Sequence, residues 1–242
     1  MKTGMKLGIA GCTGRMGRLL VAEALAAKAE IVAATVSPHS LRAGEDIGIL
    51  AGLEPLDVKS SGEPASLFAA DVVIDFTTPE ATARHLDLAL VHKVPLVIGT
   101  TGLSGEAGQK IAALGKVVPV LVAANFSRGV NLLLNLVEAA ARALPEADVG
   151  IYEMHHRHKK DSPSGTALAL GSASGNRASF AALRGGSVVG DHTVTLALEG
   201  ERIELTHRGE NRAIYAKGAV AAAQWLIGKP PGVYSMRDVL AA

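Results

Sequence analysis

The chain has 242 residues and a formal net charge of +1, which excludes any general electrostatic attraction to nucleic acid or to an anionic membrane. Apolar residues make up 48% of it and aromatic residues only 3%, so the expected core is packed from Ala, Gly, Val and Leu, as suits helices laid on a parallel sheet. The single cysteine, Cys12, rules out an intrachain disulfide or a thiolate metal cluster, and no run of 18 uncharged apolar residues reads as a membrane span, so a soluble cytoplasmic protein is expected.

Hydrophobic periodicity predicts a strand over 5–10, a helix over 15–27 and a second strand over 31–36. A strand over 71–76, a helix over 79–92 opened by Pro79, a strand over 94–98, a helix over 104–114 and a strand over 118–123 follow. Strands alternating with helices imply βαβ units, and right-handed crossovers then give a Rossmann-like, doubly wound parallel sheet. After Arg128 the pattern changes. A helix over 130–144, a strand over 149–154 and a helix over 164–173 precede strands over 187–189, 192–198 and 202–206, the last two joined by a tight turn at Glu199-Gly200-Glu201. Consecutive strands without intervening helices imply a second, α+β domain with a mixed or antiparallel sheet. The stretch 171–186, rich in Gly, Ser and Ala, reads as loop. A helix over 214–227, a Gly-Lys-Pro-Pro-Gly turn and a helix near 236–240 come last.

The segment Gly11-Cys12-Thr13-Gly14-Arg15-Met16-Gly17 lies between a predicted strand and a predicted helix. Gly11 permits a tight turn, Gly14 lets a pyrophosphate approach the backbone, and Gly17 lets the helix pack on the strand. The helix N-terminus presents N–H groups and a positive dipole end, and Arg15 adds charge. The spacing is GxxGxxG rather than the commoner GxGxxG; the competing reading is a glycine-rich turn without a ligand. The second strand runs into Val36-Ser37-Pro38-His39 and carries no acid for the ribose hydroxyls. No carboxylate therefore repels a 2′-phosphate, and Ser37, His39 and Arg42 could bind one, unless they are solvated loop residues. NADPH is expected to serve at least as well as NADH. Gly99-Thr100-Thr101-Gly102 and Ala123-Ala124-Asn125-Phe126 fall at C-terminal ends of strands, where open α/β sheets bind ligands. The first is expected near the nicotinamide ribose, and Asn125 near the carboxamide.

His155, His156, Arg157, His158, Lys159 and Lys160 follow a predicted strand and precede a helix capped by Ser162 or Ser164. A cationic loop beside a helix N-terminus suits an anionic, carboxylate-bearing substrate. Histidine brings a proton donor that works near neutral pH. A solvated charged loop explains the lysines but not three histidines followed by an ordered helix start. A zinc site using His-x-His and Asp161 is opposed by the adjacent cations, so no metal is expected.

The whole run Glu153-Met-His155-His156-Arg-His158-Lys159-Lys-Asp161-Ser-Pro163-Ser-Gly165-Thr166-Ala resembles the signature of the dihydrodipicolinate reductase (4-hydroxy-tetrahydrodipicolinate reductase) family. The phosphate loop, Asp75-Phe76-Thr77 with Pro79-Glu80, Gly99–Gly102, Ala123–Ser127 with Gly129-Val130-Asn131, and the closing Met236-Arg-Asp-Val-Leu240 fit it too, so the resemblance covers nearly the whole chain. It implies NAD(P)H-dependent reduction of 4-hydroxy-tetrahydrodipicolinate, a small dicarboxylate, in lysine/diaminopimelate biosynthesis. It implies His155 as catalytic acid/base and Lys159 as proton donor. His156, Gly165, Thr166 and Arg212 would bind substrate. Gly11, Cys12, Thr13, Gly14, Arg15 and Met16, with Gly99, Thr100 and Thr101 and with Ala123, Ala124, Asn125 and Phe126, would bind the cofactor. It further implies a dinucleotide-binding domain of 1–127 and 213–242, a substrate-binding and oligomerisation domain of 128–212, and a homotetramer. Two departures stand out: the acid missing after the second strand, and a segment 171–186 shorter than the family usually has. The alternatives are a reductase of another acidic substrate and a non-catalytic dinucleotide sensor.

Overall fold

The structure is a computed structural model that describes residues 4–241; residues 1–3 and 242, which the expected segments 1–127 and 213–242 include, lie outside the described residues. The chain divides into two compact units, Met1–Phe126 with Tyr215–Ala242, and Ser127–Ile214. The first unit begins with β1 (Lys6–Ala10), α1 (Arg15–Ala26), β2 (Glu30–Ala34), α2 (Ile47–Ala51), a 3-10 turn over Pro64–Ala69, β3 (Val72–Asp75), α3 (Pro79–His92), β4 (Leu96–Ile98), α4 (Gly105–Leu114) and β5 (Pro119–Val122). The second holds α5 (Arg128–Ala143), β6 (Asp148–His155), α6 (Gly165–Ala173), β7 (Ala178–Arg184), β8 (Gly190–Leu198) and β9 (Glu201–Gly209). The chain then runs through α7 (Ala213–Leu226), β10 (Gly232–Tyr234) and α8 (Met236–Leu240).

The first sheet has the order β10-β5-β4-β3-β1-β2, and every pairing in it is parallel. Central strand β3, Val-Val-Ile-Asp, is buried throughout, as a parallel strand covered on both faces must be. One face packs Leu7 and Ile9 against Leu20, Val21 and Ala24 of α1 and the alanines of α7. The other packs Val73, Leu96 and Val120 against Leu86 of α3 and Ile111 of α4. The scarcity of aromatics shows in this packing. A Cβ at Gly218 of α7 would stand 1.7 Å from the Phe126 carbonyl oxygen, so only glycine allows that approach. Strand order reverses between β1 and β3, the switch point at which such sheets bind nucleotides.

The second sheet has the order β7-β6-β8-β9, with β6–β7 parallel and the other pairs antiparallel. Alternation along β6 turns Val149, Ile151, Glu153 and His155 toward buried surroundings and exposes Asp148 and Tyr152. Leu133 and Val137 of α5 and Ala167 and Leu170 of α6 cover Val149, Ile151, Val194 and Leu196. The predicted Glu199-Gly200 turn joins β8 to β9, with Gly200 at φ 81°.

Three expectations need correction. The strand over 187–189 is absent; Ser187 shares a turn with Gly186, whose φ is 49°, and 188–189 lead irregularly into β8. The stretch 171–186 is not a loop, because Ala178–Arg184 forms β7. Its run Ala-Ser-Phe-Ala-Ala-Leu-Arg has too many small residues to show a period of two, and as an edge strand it needs only one partner. The Gly-Lys-Pro-Pro-Gly turn is followed at once by β10, too short to declare itself beside two prolines.

The segment expected to be short is firmly tied. Arg177 donates through Nη1 to the Pro145 and Ala147 carbonyls and through Nη2 to those of Ala141 and Leu144, at 2.8–3.1 Å for the last three. These oxygens lie at or just beyond the C-terminus of α5, where a guanidinium satisfies orphan carbonyls and complements the helix dipole.

Candidate active site

In the first unit the predicted cofactor loops all follow C-terminal ends of parallel strands: Gly11–Met16 after β1, Ser37 beyond β2, Gly99–Thr101 after β4 and Ala123–Phe126 after β5. Gly11 sits at φ 70°. A Cβ at Gly17 would stand 2.1 Å from the Gly11 carbonyl oxygen, so glycine there is what lets the helix start so close to the turn. α3, α4, α5 and α6 begin on Thr78, Ser104, Ser127 and Ser164, each hydroxyl accepting a first-turn N–H. α1 begins on Gly14 with no side-chain cap. Its first-turn donors are thus left to an anionic partner, and the residues fit a nucleotide pyrophosphate. Not every loop residue can contribute alike. The Cys12 side chain is buried, burial pushes its thiol up to about 11, and its N–H donates to the Thr35 carbonyl at 2.8 Å. Gly14 N–H donates to the Gly11 carbonyl at 3.0 Å. Arg42 is held by Glu45, with Nη2 2.8 Å from Oε2, yet it lies close enough to act electrostatically on Cys12.

Beneath the second loop lies a network that sequence reasoning missed. Asp75, at the end of β3, accepts from Thr77 N–H at 2.9 Å and Thr77 Oγ1 at 2.5 Å, and its Oδ2 faces His85 Nδ1. Thr82 Oγ1, on the same helix as His85, donates to Thr100 Oγ1 at 2.8 Å. Burial alone would raise the Asp75 carboxyl; the His85, Thr77 and Thr82 contacts outweigh it and hold it below its ordinary range.

In the second unit the antiparallel register sets Glu153 directly opposite His192, and His192 opposite His207. His155 lies two residues along β6 on the face of Glu153. Glu153 is 1% exposed, His192 3% and His155 7%. Glu153 Oε1 accepts from Ser164 N–H at 3.0 Å and lies 3.5 Å from Arg184 Nη1. Its Oε2 stands 3.4 Å from His155 Nδ1 and 3.6 Å from His192 Nε2. Among the described residues this trio is the one group of His, Cys, Asp or Glu side chains whose ligand atoms converge, all within 4.8 Å. Burial would raise the Glu153 carboxyl, but the Ser164 bonds and the neighbouring imidazoles lower it. Burial lowers His155, aided by Lys159 and Arg184 and opposed by Glu153 and Asp161. Burial pushes His192 down to about 4 and lowers His207 as well.

The structure brings most of the predicted substrate residues together around this buried row. Lys159 ion-pairs with Asp161, Nζ 2.9 Å from both carboxylate oxygens. Arg212 Nη2 donates to His156 Nε2 at 3.2 Å. Gly165 and Thr166 form the first turn of α6, capped by Ser164, whose Oγ also lies 3.2 Å from His192 Nε2. Arg184, in the stretch read as loop, ties the cationic turn down through the Lys159 carbonyl at 3.2 Å and the Asp161 carbonyl at 2.6 Å. Glu153 stood in the sequence only as the first letter of a motif. His192 and Arg184 had no signal at all, because only strand register carries them here.

Family models described as "Dihydrodipicolinate reductase, N-terminus" and "Dihydrodipicolinate reductase, C-terminus" match residues 5–126 and 129–240. The chain is 44% identical over 263 residues to a 4-hydroxy-tetrahydrodipicolinate reductase of Magnetococcus marinus, covering 98% of each chain. It is 42% identical over 266 residues to one of Acinetobacter baumannii, covering 99% of this chain and 97% of the relative. Both alignments are longer than the 242 residues of this chain, so the relatives carry residues that it lacks. Among solved structures, a dipicolinate-bound dihydrodipicolinate reductase from Paenisporosarcina sp. TG-14 shares the fold with a TM-score of 0.81 at 24% identity, over 96% of this chain and 98% of that one. An amine dehydrogenase from Mycobacterium smegmatis shares it with a TM-score of 0.68 at 13% identity, over 97% and 96%.

Proposed function

The chain belongs to the dihydrodipicolinate reductase family, and from that premise we propose that it reduces 4-hydroxy-tetrahydrodipicolinate to tetrahydrodipicolinate in lysine/diaminopimelate biosynthesis. The observation that carries the reading is the buried His155 at the end of β6, flanked by the Glu153 carboxylate and followed by a cationic turn that runs into the N-terminus of α6.

When bound, a nicotinamide dinucleotide supplies the hydride. The uncapped first turn of α1, with Thr13, Arg15 and Met16, would hold its pyrophosphate. Gly99–Thr101 and Ala123–Phe126, which follow β4 and β5, would border the nicotinamide end. The end of β2 carries no acid, and Ser37, His39 and Arg42, the last once released from Glu45, would bind a 2′-phosphate, so NADPH is used at least as well as NADH. In the second unit, Gly165 and Thr166 at the start of α6 hold one substrate carboxylate by N–H donation and helix dipole. His156 and Arg212, already paired, hold a second. His155, or Lys159 once substrate draws it from Asp161, delivers the one net proton that accompanies hydride addition, and the 4-hydroxyl leaves as water.

The exposed face of the second sheet carries Tyr152 on β6 and Leu183 on β7, apolar side chains for which a homotetramer interface would account. The cytoplasm is the proposed location. The deciding experiment follows oxidation of NADPH and NADH with enzymatically generated 4-hydroxy-tetrahydrodipicolinate. Turnover with this substrate is expected; cofactor binding without turnover would sink the reading.

A further inference from the structure

A fully buried carboxylate is costly unless every oxygen has a partner. Glu153 Oε1 has two, Ser164 N–H and Arg184. Its Oε2 has no hydrogen bond, and neither does His155 Nδ1; both atoms are sealed from solvent. They face each other at 3.4 Å, so an approach of about half an ångström would give each its partner at ordinary hydrogen-bond length. Ser164 N–H fixes the carboxylate from the helix side, so the imidazole is the part that must adjust. On the other edge of the ring, Nε2 lies over Gly190, where a Cβ would stand 2.9 Å away. The absent side chain is what leaves room for that nitrogen.

We propose that Glu153 is a positioning residue for His155: its buried carboxylate fixes the imidazole with a proton on Nδ1, so that Nε2 is the nitrogen that exchanges a proton with substrate. This rests on the reading of His155 as the proton-exchanging residue. The groups around the ring assign Glu153 that role. Lys159 and Arg184 are cations, which disfavour the imidazolium. His192, on the neighbouring strand, is pushed by burial to about 4 and carries no charge near neutral pH. Asp161 is mostly exposed and held by Lys159. Glu153 is thus the one buried anion of this set that can stabilise a protonated His155 during turnover.

The test has two arms. The first is nitrogen-15 NMR of histidine side chains in the wild-type protein, with the His155 signals assigned by their loss in His155→Gln. A neutral His155 protonated on Nδ1 is expected, and one protonated on Nε2 overturns the proposal without need of any other variant. The second arm compares Glu153→Gln and Glu153→Asp with wild type. Glu153→Gln should lower kcat by about 10- to 100-fold at pH 7.5 with the KM for cofactor unchanged. The high-pH limb of its kcat/KM profile should move down by about one pH unit, since the lost anion no longer supports the imidazolium. Glu153→Asp should keep the limb near its wild-type position. A folded Glu153→Gln with unmoved pH limb and near-normal kcat overturns the proposal. So does wild-type activity that a chelator abolishes and zinc restores, which would make Glu153, His155 and His192 a metal site. If wild type shows the Nδ1 tautomer but no turnover of 4-hydroxy-tetrahydrodipicolinate, the functional reading fails while the positioning stands.

Discussion

His85 Nδ1 lies 2.8 Å from Asp75 Oδ2, and neither side chain is open to solvent. The pair joins the end of β3 to α3, which in turn holds Thr100 through Thr82. Removing one member of such a pair strands the other. Asp75→Ala, which leaves Thr77 and the buried His85 ring nitrogen without their partner, is therefore expected to cost about 1–3 kcal/mol, read as a lowered urea midpoint. A loss below 1 kcal/mol would show that the pair is not structural.

The phosphate loop depends on Gly17. Alanine there would press a carbon to 2.1 Å from the Gly11 carbonyl and 2.7 Å from Cys12 Cα. Overpacking of this kind costs about 1–3 kcal/mol. Fluorescence titration of Gly17→Ala with NADPH should accordingly show affinity reduced by about tenfold or more. Affinity equal to wild type would mean that the turn is not the cofactor cradle.

For the substrate unit, His155→Ala and Lys159→Ala should each lower kcat by about 10²- to 10⁴-fold while cofactor binding persists. Near-normal turnover in both variants would falsify their assignment as proton carriers.

Acid stability offers a separate check. His192 has a pKa near 6.5 in the unfolded chain and about 4 in the fold. Above pH 6.5 it is neutral in both states and exerts no pull. As pH falls from 6.5 toward 4, the unfolded chain takes up a proton that the fold excludes, so stability drops, levelling off below 4. The part of this loss reached by pH 5 is about 2 kcal/mol. The lowered His155 and His207 push in the same direction. His192→Gln should therefore lose less stability than wild type between pH 7 and pH 5 in urea unfolding; equal losses would argue that His192 stays accessible to protons.

Arg177→Ala would take the guanidinium from the carbonyls at the end of α5, of which Leu144 O would keep the Ala147 N–H. A loss of about 1–3 kcal/mol is expected in chemical denaturation, with cofactor affinity unchanged. No loss would mean that water replaces the guanidinium freely.

The parallel half of the fold was legible because strands buried on both faces, such as Val72–Asp75, read as unbroken apolar runs. The phosphate loop was legible for the same local reason: its glycines answer to a turn and a helix start within a few residues. The cationic run and the start of α6 were likewise contiguous. What escaped was long-range. Glu153 meets His192 only because β6 and β8 pair in one register; a shift by one residue would turn His192 to the other face. Arg184 escaped because β7 is made of small residues at an edge, and Asp75–His85 because a helix had to fold back over its own strand.

The first unit is built from two separate stretches of chain. The edge strand β10 and the small-residue helix α7, packed so closely on Phe126, are synthesised only after all of β6–β9. On the ribosome, the four-stranded sheet with its buried carboxylate can therefore be complete while the nucleotide-binding sheet still waits for its last strand. Domains fold as units as they emerge, so this protein is expected to acquire its proton-handling half first and its capacity to hold a dinucleotide last.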